Sequence, residues 1–197
     1  MAVLVGKSAP EFCAQAAQEN KIIDEITLNQ FLGKYVILLF YPLDFTFVCP
    51  TELHAFQEAH AQFQARNAAI IGCSIDSVYS HLAWLATPRK KGGIEGVKYP
   101  IISDIHKTIA QDYGVLHPTD GIALRGLFLI DRKGIVRHQL VNDLPLGRSV
   151  PEVLRLLDAL QSYEKHGEVC PANWKEGEKG MMPTREGLER YVTTEIG

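Results

Sequence analysis

The sequence predicts an α/β domain: a central mixed β-sheet flanked by helices, followed by an extended C-terminal arm. Three observations carry this reading. Short continuous apolar runs alternate with stretches of helical spacing, the pattern of a sheet covered on both faces. Two later runs are joined by Asp131-Arg-Lys-Gly134, which adds an antiparallel pair. After Lys165 apolar residues become sparse and glycines and prolines punctuate the chain, so this stretch makes no core of its own. The expected organisation is one domain over residues 1–164 and an arm over residues 165–197. Trp174 and Tyr191 favour an arm that docks, because large aromatics gain most from burial.

The elements follow in order. Tyr35-Val-Ile-Leu-Leu-Phe-Tyr41 is apolar, partly β-branched and stopped by Pro42, hence a strand buried on both faces. Leu53, Phe56, His60 and Phe63 recur at helical spacing, predicting one helix from about Pro50 to Arg66. Ala68 to Ile75 reads as a second buried strand, and Asp76 or Ser77 as the cap of a helix through about Ala86. Thr87 to Gly96 is a turn-rich loop. A short strand at Tyr99–Ile102 and a helix near His106–Tyr113 come next. Leu124–Ile130 and Ile135–Val141 form the hairpin. Ser149 starts a helix with Pro151 in its first turn and Val150, Val153, Leu154, Leu157 and Leu160 on one face.

Composition narrows the function classes. The chain has 197 residues, 46% hydrophobic and 22% charged, enough for a sizeable core and incompatible with disorder. A net charge of −3 gives no electrostatic reason to expect nucleic acid or an anionic membrane as partner. The longest apolar run is far short of the about 18 residues of a membrane span. Residues 1–10 lack a basic region followed by a long apolar stretch, so no signal peptide is expected and the cytoplasm is the expected compartment. Four cysteines, with no Cys-x-x-Cys pair, are too few and scattered for a disulfide framework or a local zinc site. The seven histidines show no metal-site spacing and read as ordinary polar or capping residues. Gly92-Gly93 reads as turn chemistry.

The stretch Phe40-Tyr-Pro-Leu-Asp-Phe-Thr-Phe-Val-Cys-Pro-Thr-Glu52 is the most informative. A buried strand ends, a loop follows, and Cys49 lands in the first turn of a helix. Unpaired backbone N–H groups and the positive end of the helix dipole favour its thiolate. Pro42 lacks a donor and is placed to shield the thiol. Thr46, three residues before Cys49, is placed to meet a ligand on the sulfur. The competing reading is a buried inert cysteine. Arg125 interrupts an apolar strand; either it stabilises the thiolate and the departing oxygen, or it snorkels to water. Glu52 and Arg148, taken singly, read as surface charges. Cys170, on the arm, is either a thiol that reaches an oxidised partner or an incidental one. Cys73 reads as core and Cys13 as structural or incidental.

Together these segments resemble the typical 2-Cys peroxiredoxins, the thiol peroxidases that include thioredoxin peroxidase and the peroxide-reducing protein of bacterial alkyl hydroperoxide reductase. Pro42-x-x-x-Thr46-x-x-Cys49 matches the active-site signature, and Val169-Cys-Pro-Ala-Asn-Trp174 is similar to the resolving-cysteine motif. Ala83-Trp-x-x-Thr-Pro-Arg89, Arg125 within Leu-Arg-Gly-Leu-Phe-Leu-Ile-Asp, and Leu144-Pro-Leu-Gly-Arg148 also match, so the resemblance runs from about Gly6 to Tyr191. It implies a thioredoxin-like fold with an N-terminal extension and no cofactor in the chain. It implies that Cys49 attacks hydrogen peroxide or an organic hydroperoxide and becomes a sulfenic acid. Thr46 and Arg125 would bind the peroxide oxygens, Pro42 would shield the pocket, and Glu52 and Arg148 would orient Arg125. Cys170 would resolve the sulfenic acid across a head-to-tail homodimer, within a decamer. Electrons would come from thioredoxin or a dedicated flavoprotein disulfide reductase. Relatives also serve as redox-regulated chaperone rings or peroxide sensors, the alternative readings. The first turn after Cys49 is expected to unwind and the arm to move during the cycle. Members that over-oxidise easily carry Gly-Gly-Leu/Ile-Gly and Tyr-Phe motifs. Here Gly92-Gly-Ile-Glu95, with Gly96 displaced by one, and Tyr191-Val192 stand instead, so intermediate-to-robust behaviour is expected.

Overall fold

The computed structural model describes residues 3–196. It divides into two compact units, Met1–Val150 and Pro151–Gly197. The first unit holds seven strands among the described residues: β1 (Cys13–Gln18), β2 (Lys21–Thr27), β3 (Tyr35–Phe40), β4 (Ala68–Ser74), β5 (Ile101–Ser103), β6 (Arg125–Ile130) and β7 (Val136–Asn142). They form one sheet in the order β2-β1-β5-β4-β3-β6-β7. This is the thioredoxin-like, mixed arrangement that the sequence predicts.

β3 explains why the sheet is mixed. It pairs parallel with β4, Leu38 facing Ile71, and antiparallel with β6, Val36 facing Ile130. All six of its residues are buried. Val36, Leu38 and Phe40 join a cluster with Ile109, Ala110 and Tyr113, while Ile37 and Leu39, equally buried, point the other way. A strand covered on both faces has no polar side to show, hence the unbroken apolar run. Within the cluster Tyr113 meets Phe40 at 5.3 Å and Phe128 edge-on at 4.8 Å between ring centroids.

The helices are α1 (Cys49–Glu58), α2 (His60–Ala65), α3 (Val78–Ala86), α4 (Thr108–Asp112), α5 (Val150–His166) and α6 (Arg185–Tyr191). Ser77 caps α3, its Oγ accepting the Ser80 amide at 3.2 Å. In the β6–β7 hairpin, Asp131 Oδ1 accepts the Lys133 and Ile135 amides.

Two elements depart from the sequence reading. The helix expected from Pro50 to Arg66 is broken at Ala59, where ψ is near 0°, into α1 and α2. The break allows Phe56 and Phe63 to stack at 5.9 Å. The β1–β2 hairpin is absent from the sequence reading. Its turn residues Glu19 and Asn20 both take positive φ, 47° and 61°, as a tight hairpin requires. β1 then pairs with β5 and extends the sheet.

The composition break at Lys165 falls at the end of α5, inside the second unit. In that unit Val169 bridges Met181, and Trp174 is buried with its indole N–H donating to the Glu178 carbonyl at 2.9 Å. Among the described residues no helix is long and apolar enough to cross a membrane.

Candidate active site

Cys49 opens α1, and its side chain is buried. The residue before it, Val48, supplies no side-chain cap, and Pro50 occupies the first turn, where its missing N–H costs nothing. Two groups touch the sulfur. Thr46 Oγ1 lies 3.0 Å from Sγ and Arg125 Nη1 lies 3.4 Å away. The Thr46 hydroxyl is also 2.8 Å from the Leu43 carbonyl. It has one proton, so it donates either to Leu43 or to the sulfur, and serves a thiol or a thiolate equally.

Arg125 is held by three bonds. Nε donates to the Leu144 carbonyl at 2.6 Å, and Nη1 divides its two protons between Sγ and Glu52 Oε2, the latter at 2.7 Å. Glu52, one turn into α1, also takes Arg148. Its Oε1 accepts from the Arg148 amide at 2.9 Å and Nε at 2.7 Å, and its Oε2 from Nη2 at 3.0 Å. Arg148 Nη1 donates to the carbonyls of Phe40 and Gly126, both at 2.7 Å.

Glu52 and Arg148 therefore correct the single-residue reading of surface charges. They are 5% and 9% exposed, and Arg125 is 3% exposed. The sequence shows each charge alone, whereas burial is tolerable only because the three meet. Formal charges sum to zero when Cys49 is a thiolate and to +1 when it is a thiol. That excess cation complements negative charge developing on a bound oxygen. Gly126, whose carbonyl accepts from Arg148, has no room for a side chain: a Cβ there would lie 2.6 Å from Val115 Cγ1. Pro42 is buried between β3 and the active-site loop.

Residues 5–139 match the AhpC/TSA family. The chain belongs to the AhpC/TSA family of peroxiredoxins. As such it is an oxidoreductase, a thiol-dependent peroxidase. Residues 159–194 of this peroxiredoxin match the C-terminal domain of 1-Cys peroxiredoxin. The chain is 50% identical over 194 residues to a thioredoxin peroxidase of Echinococcus granulosus, covering 98% of this chain and 100% of the relative. It is 53% identical over 189 residues to a chloroplastic 2-Cys peroxiredoxin of Hordeum vulgare, covering 95% and 90%. The crystal structure of reduced Plasmodium vivax 2-Cys peroxiredoxin superposes with a TM-score of 0.95 at 52% identity, covering 98% and 100%.

The sequence reading of this peroxiredoxin missed a second buried group beneath the active-site loop. Asp44 accepts from Tyr41 Oη at 2.8 Å and Ser80 Oγ at 2.8 Å, and lies 2.8 Å from His81 Nδ1. Its amide donates to Asp76 Oδ2 at 2.9 Å. His81 Nε2 faces the Ile102 carbonyl at 3.1 Å. The signal was an acid within an aromatic stretch, but its partner lies 37 residues away. This knot anchors the loop that carries Thr46.

All four cysteines are free. Cys73 is buried in β4 and burial pushes its thiol well up; Cys13 is exposed. In the second unit, Cys170 is half-buried, its Sγ 3.5 Å from the Ala159 carbonyl. Burial raises its pKa, with Arg155 opposing and Glu168 adding to the rise. Among the described residues no cluster of three or more His, Cys, Asp or Glu side chains is placed to hold a metal ion.

Proposed function

We propose that Cys49 is the peroxide-reducing thiol and that Cys170 of the partner subunit resolves it. The observation that carries the first half is the pair of donors on Sγ, backed by the buried Glu52–Arg148 clamp. Cys49 thiolate attacks one peroxide oxygen: the S–O bond forms, the O–O bond breaks, and the leaving oxygen departs as water or an alcohol once protonated. Arg125 is buried whereas Thr46 is half-exposed, so peroxide approaches on the Thr46 side. Thr46 and Arg125 then donate to the oxygens as charge builds on them. These donors, aimed at the oxygens where charge develops, supply much of the rate. Pro42 keeps competing water from the sulfur, and Glu52 and Arg148 orient Arg125.

The sulfenic acid condenses with the Cys170 thiol: the S–S bond forms and water leaves. Cys49 is fully buried, so this step requires the first turn of α1 to unwind. A dithiol, either thioredoxin or a dedicated flavoprotein disulfide reductase, returns the electrons, and the chain needs no cofactor of its own. Hydrogen peroxide and organic hydroperoxides are both substrates. The family resemblance supports a homodimer assembling into a decamer, and dependence on dithiol electrons supports a reducing compartment, the cytoplasm.

The test is intact mass and a non-reducing gel after one equivalent of hydrogen peroxide, beside Cys49→Ser and Cys170→Ser. The expected result is a covalent dimer absent from both variants. A monomer carrying only oxidised Cys49 would overturn the role of Cys170; oxidation that survives in Cys49→Ser would overturn that of Cys49.

A further inference from the structure

Beyond its first turn, α1 is bolted to the 87–99 segment. Tyr99 Oη donates to the Leu53 carbonyl at 2.8 Å, and the Lys98 amide donates to Gln57 Oε1 at 2.8 Å. Between these lies His54. Its Nε2 is 3.0 Å from the Gly93 carbonyl, and its Nδ1 is 2.9 Å from Arg89 Nε. Arg89 Nη2 continues to Glu58 Oε1, 2.8 Å away and one turn further along α1.

The chemistry of these neighbours sets the protonation of the ring. A guanidinium only donates, so Nδ1 must accept; a carbonyl only accepts, so Nε2 must carry the proton. The Arg89 contact exists only for the neutral imidazole protonated on Nε2, whereas the Gly93 contact stands in the imidazolium as well. A second proton, on Nδ1, would face the Arg89 N–H and break the relay. A Cβ on Gly93 would lie 1.9 Å from the Thr87 carbonyl oxygen, so the backbone there is already tightly packed. The Gly93 amide is tied to the Pro88 carbonyl at 3.2 Å.

We propose that His54 is a positioning residue: a pH-sensitive latch that sets how readily α1 unwinds, and so divides Cys49 sulfenic acid between resolution and over-oxidation. This rests on the peroxidase reading above. Two reactions compete for the sulfenic acid. With the Cys170 thiol it gives a disulfide and water. With a second hydroperoxide it gives sulfinic acid and an alcohol, or water from hydrogen peroxide. Only the first requires α1 to unwind. A closed latch therefore favours sulfinic acid, and an open latch favours the disulfide.

The charged groups that face the ring are Arg89, from the turn, and Glu58, from α1 itself. Burial lowers the His54 pKa; the Gly93 carbonyl and Glu58 oppose this, and Arg89 adds to it. The fold thus favours the neutral ring. The Arg89 bond of the latch is in place above the ordinary histidine range, near about 6.5, and is lost as pH falls below it, while the Gly93 bond remains. The Arg89–Glu58 pair is largely solvent-exposed and contributes little by itself, so the titrating step belongs to His54.

The experiment compares the full chain with His54→Leu, which removes both bonds, and His54→Gln, which keeps a donor for Gly93 but does not titrate. The fraction of Cys49 converted to sulfinic acid per turnover is measured by mass spectrometry at about pH 8 and about pH 5.5, bracketing the ordinary histidine value. The wild type is expected to over-oxidise about three- to tenfold less at the lower pH, the factor carried by one hydrogen bond. His54→Leu is expected to be low at both values, and His54→Gln to lose the pH dependence attributable to the ring. Amide hydrogen exchange over Leu53–Gln57 at neutral pH is expected to be faster by a similar factor in His54→Leu. The proposal is overturned if folded His54→Leu keeps the wild-type partition and slope, or exchanges no faster. Failure of the wild type to form any disulfide would instead overturn the underlying function.

Discussion

Replacing Glu52 by Gln changes one atom and reaches the whole site. The carboxylate accepts four hydrogen bonds, two on each oxygen, from Arg125 and Arg148. Glutamine keeps one oxygen and turns the other into an NH2 group facing two donors. Each lost charge-assisted bond is worth about 1.5–3 kcal/mol, so two amount to about 3–6 kcal/mol. Two guanidinium groups, 3% and 9% exposed, are also left without a counter-charge, and breaking such a buried pair costs about 3–5 kcal/mol by direct comparison. These figures describe one loss, and about 3–5 kcal/mol is the expected destabilisation. With a urea slope of about 2 kcal/mol/M, the midpoint should fall by about 1.5–2.5 M. Arg125 loses the bond that aims Nη1 at Sγ, so the stopped-flow rate constant for peroxide should drop about ten- to a hundredfold, the scale of a misplaced catalytic group. A midpoint shift below about 0.5 M together with a rate within about twofold of wild type would refute the clamp. It would mean that the Leu144 carbonyl alone holds Arg125.

Two further expectations follow from single groups. Thr46→Val removes the hydroxyl 3.0 Å from Sγ and should lower the peroxide rate about a hundredfold or more, as loss of one transition-state donor does, while Thr46→Ser retains most of the rate. Far-ultraviolet dichroism should not change in either, because Thr46 precedes α1. At Asp131, burial raises the carboxyl pKa, but the Ile135 and Lys133 amides and Arg137 outweigh it, and the net shift is downward. The carboxylate therefore stabilises the hairpin above the ordinary aspartate value near about 3.9, and this contribution fades as pH falls below it. Asp131→Asn should cost about 1–3 kcal/mol in urea unfolding at neutral pH, a deficit that narrows at about pH 3.

What the sequence made legible was whatever depends on neighbours along the chain. The β3 run, Cys49 at a helix start, the Ser77 cap and the Asp131–Gly134 turn are all written within a few residues. The β1–β2 hairpin was hidden because Cys13-Ala-Gln-Ala-Ala-Gln lacks the β-branched residues that mark strands; backbone pairing to β5 places it there. The break at Ala59 accompanies the stacking of Phe56 on Phe63, which periodicity alone does not reveal. In the site, Cys49 stood out by its place at a helix start, Thr46 by its spacing to Cys49, and Arg125 because it interrupts an apolar strand. Glu52 and Arg148 entered only through the family resemblance, and Asp44, His54 and His81 not at all, since a charge or imidazole on a helix or loop looks ordinary until its distant partner is known.

The separations in that cluster bear on how the protein comes into being. Glu52 meets Arg125 across 73 positions and Arg148 across 96. At about 5–20 residues per second, translation needs on the order of 5–20 seconds to supply Arg148 after Glu52 has been made. Until Arg125 is made, within that interval, Cys49 lacks the guanidinium that lies against its sulfur. The arrangement around Cys49 is thus complete only when β6 has docked beside β3 and the Arg148 loop has closed. On the role proposed for Cys49, a nascent or half-folded chain is spared the oxidation that the finished one performs.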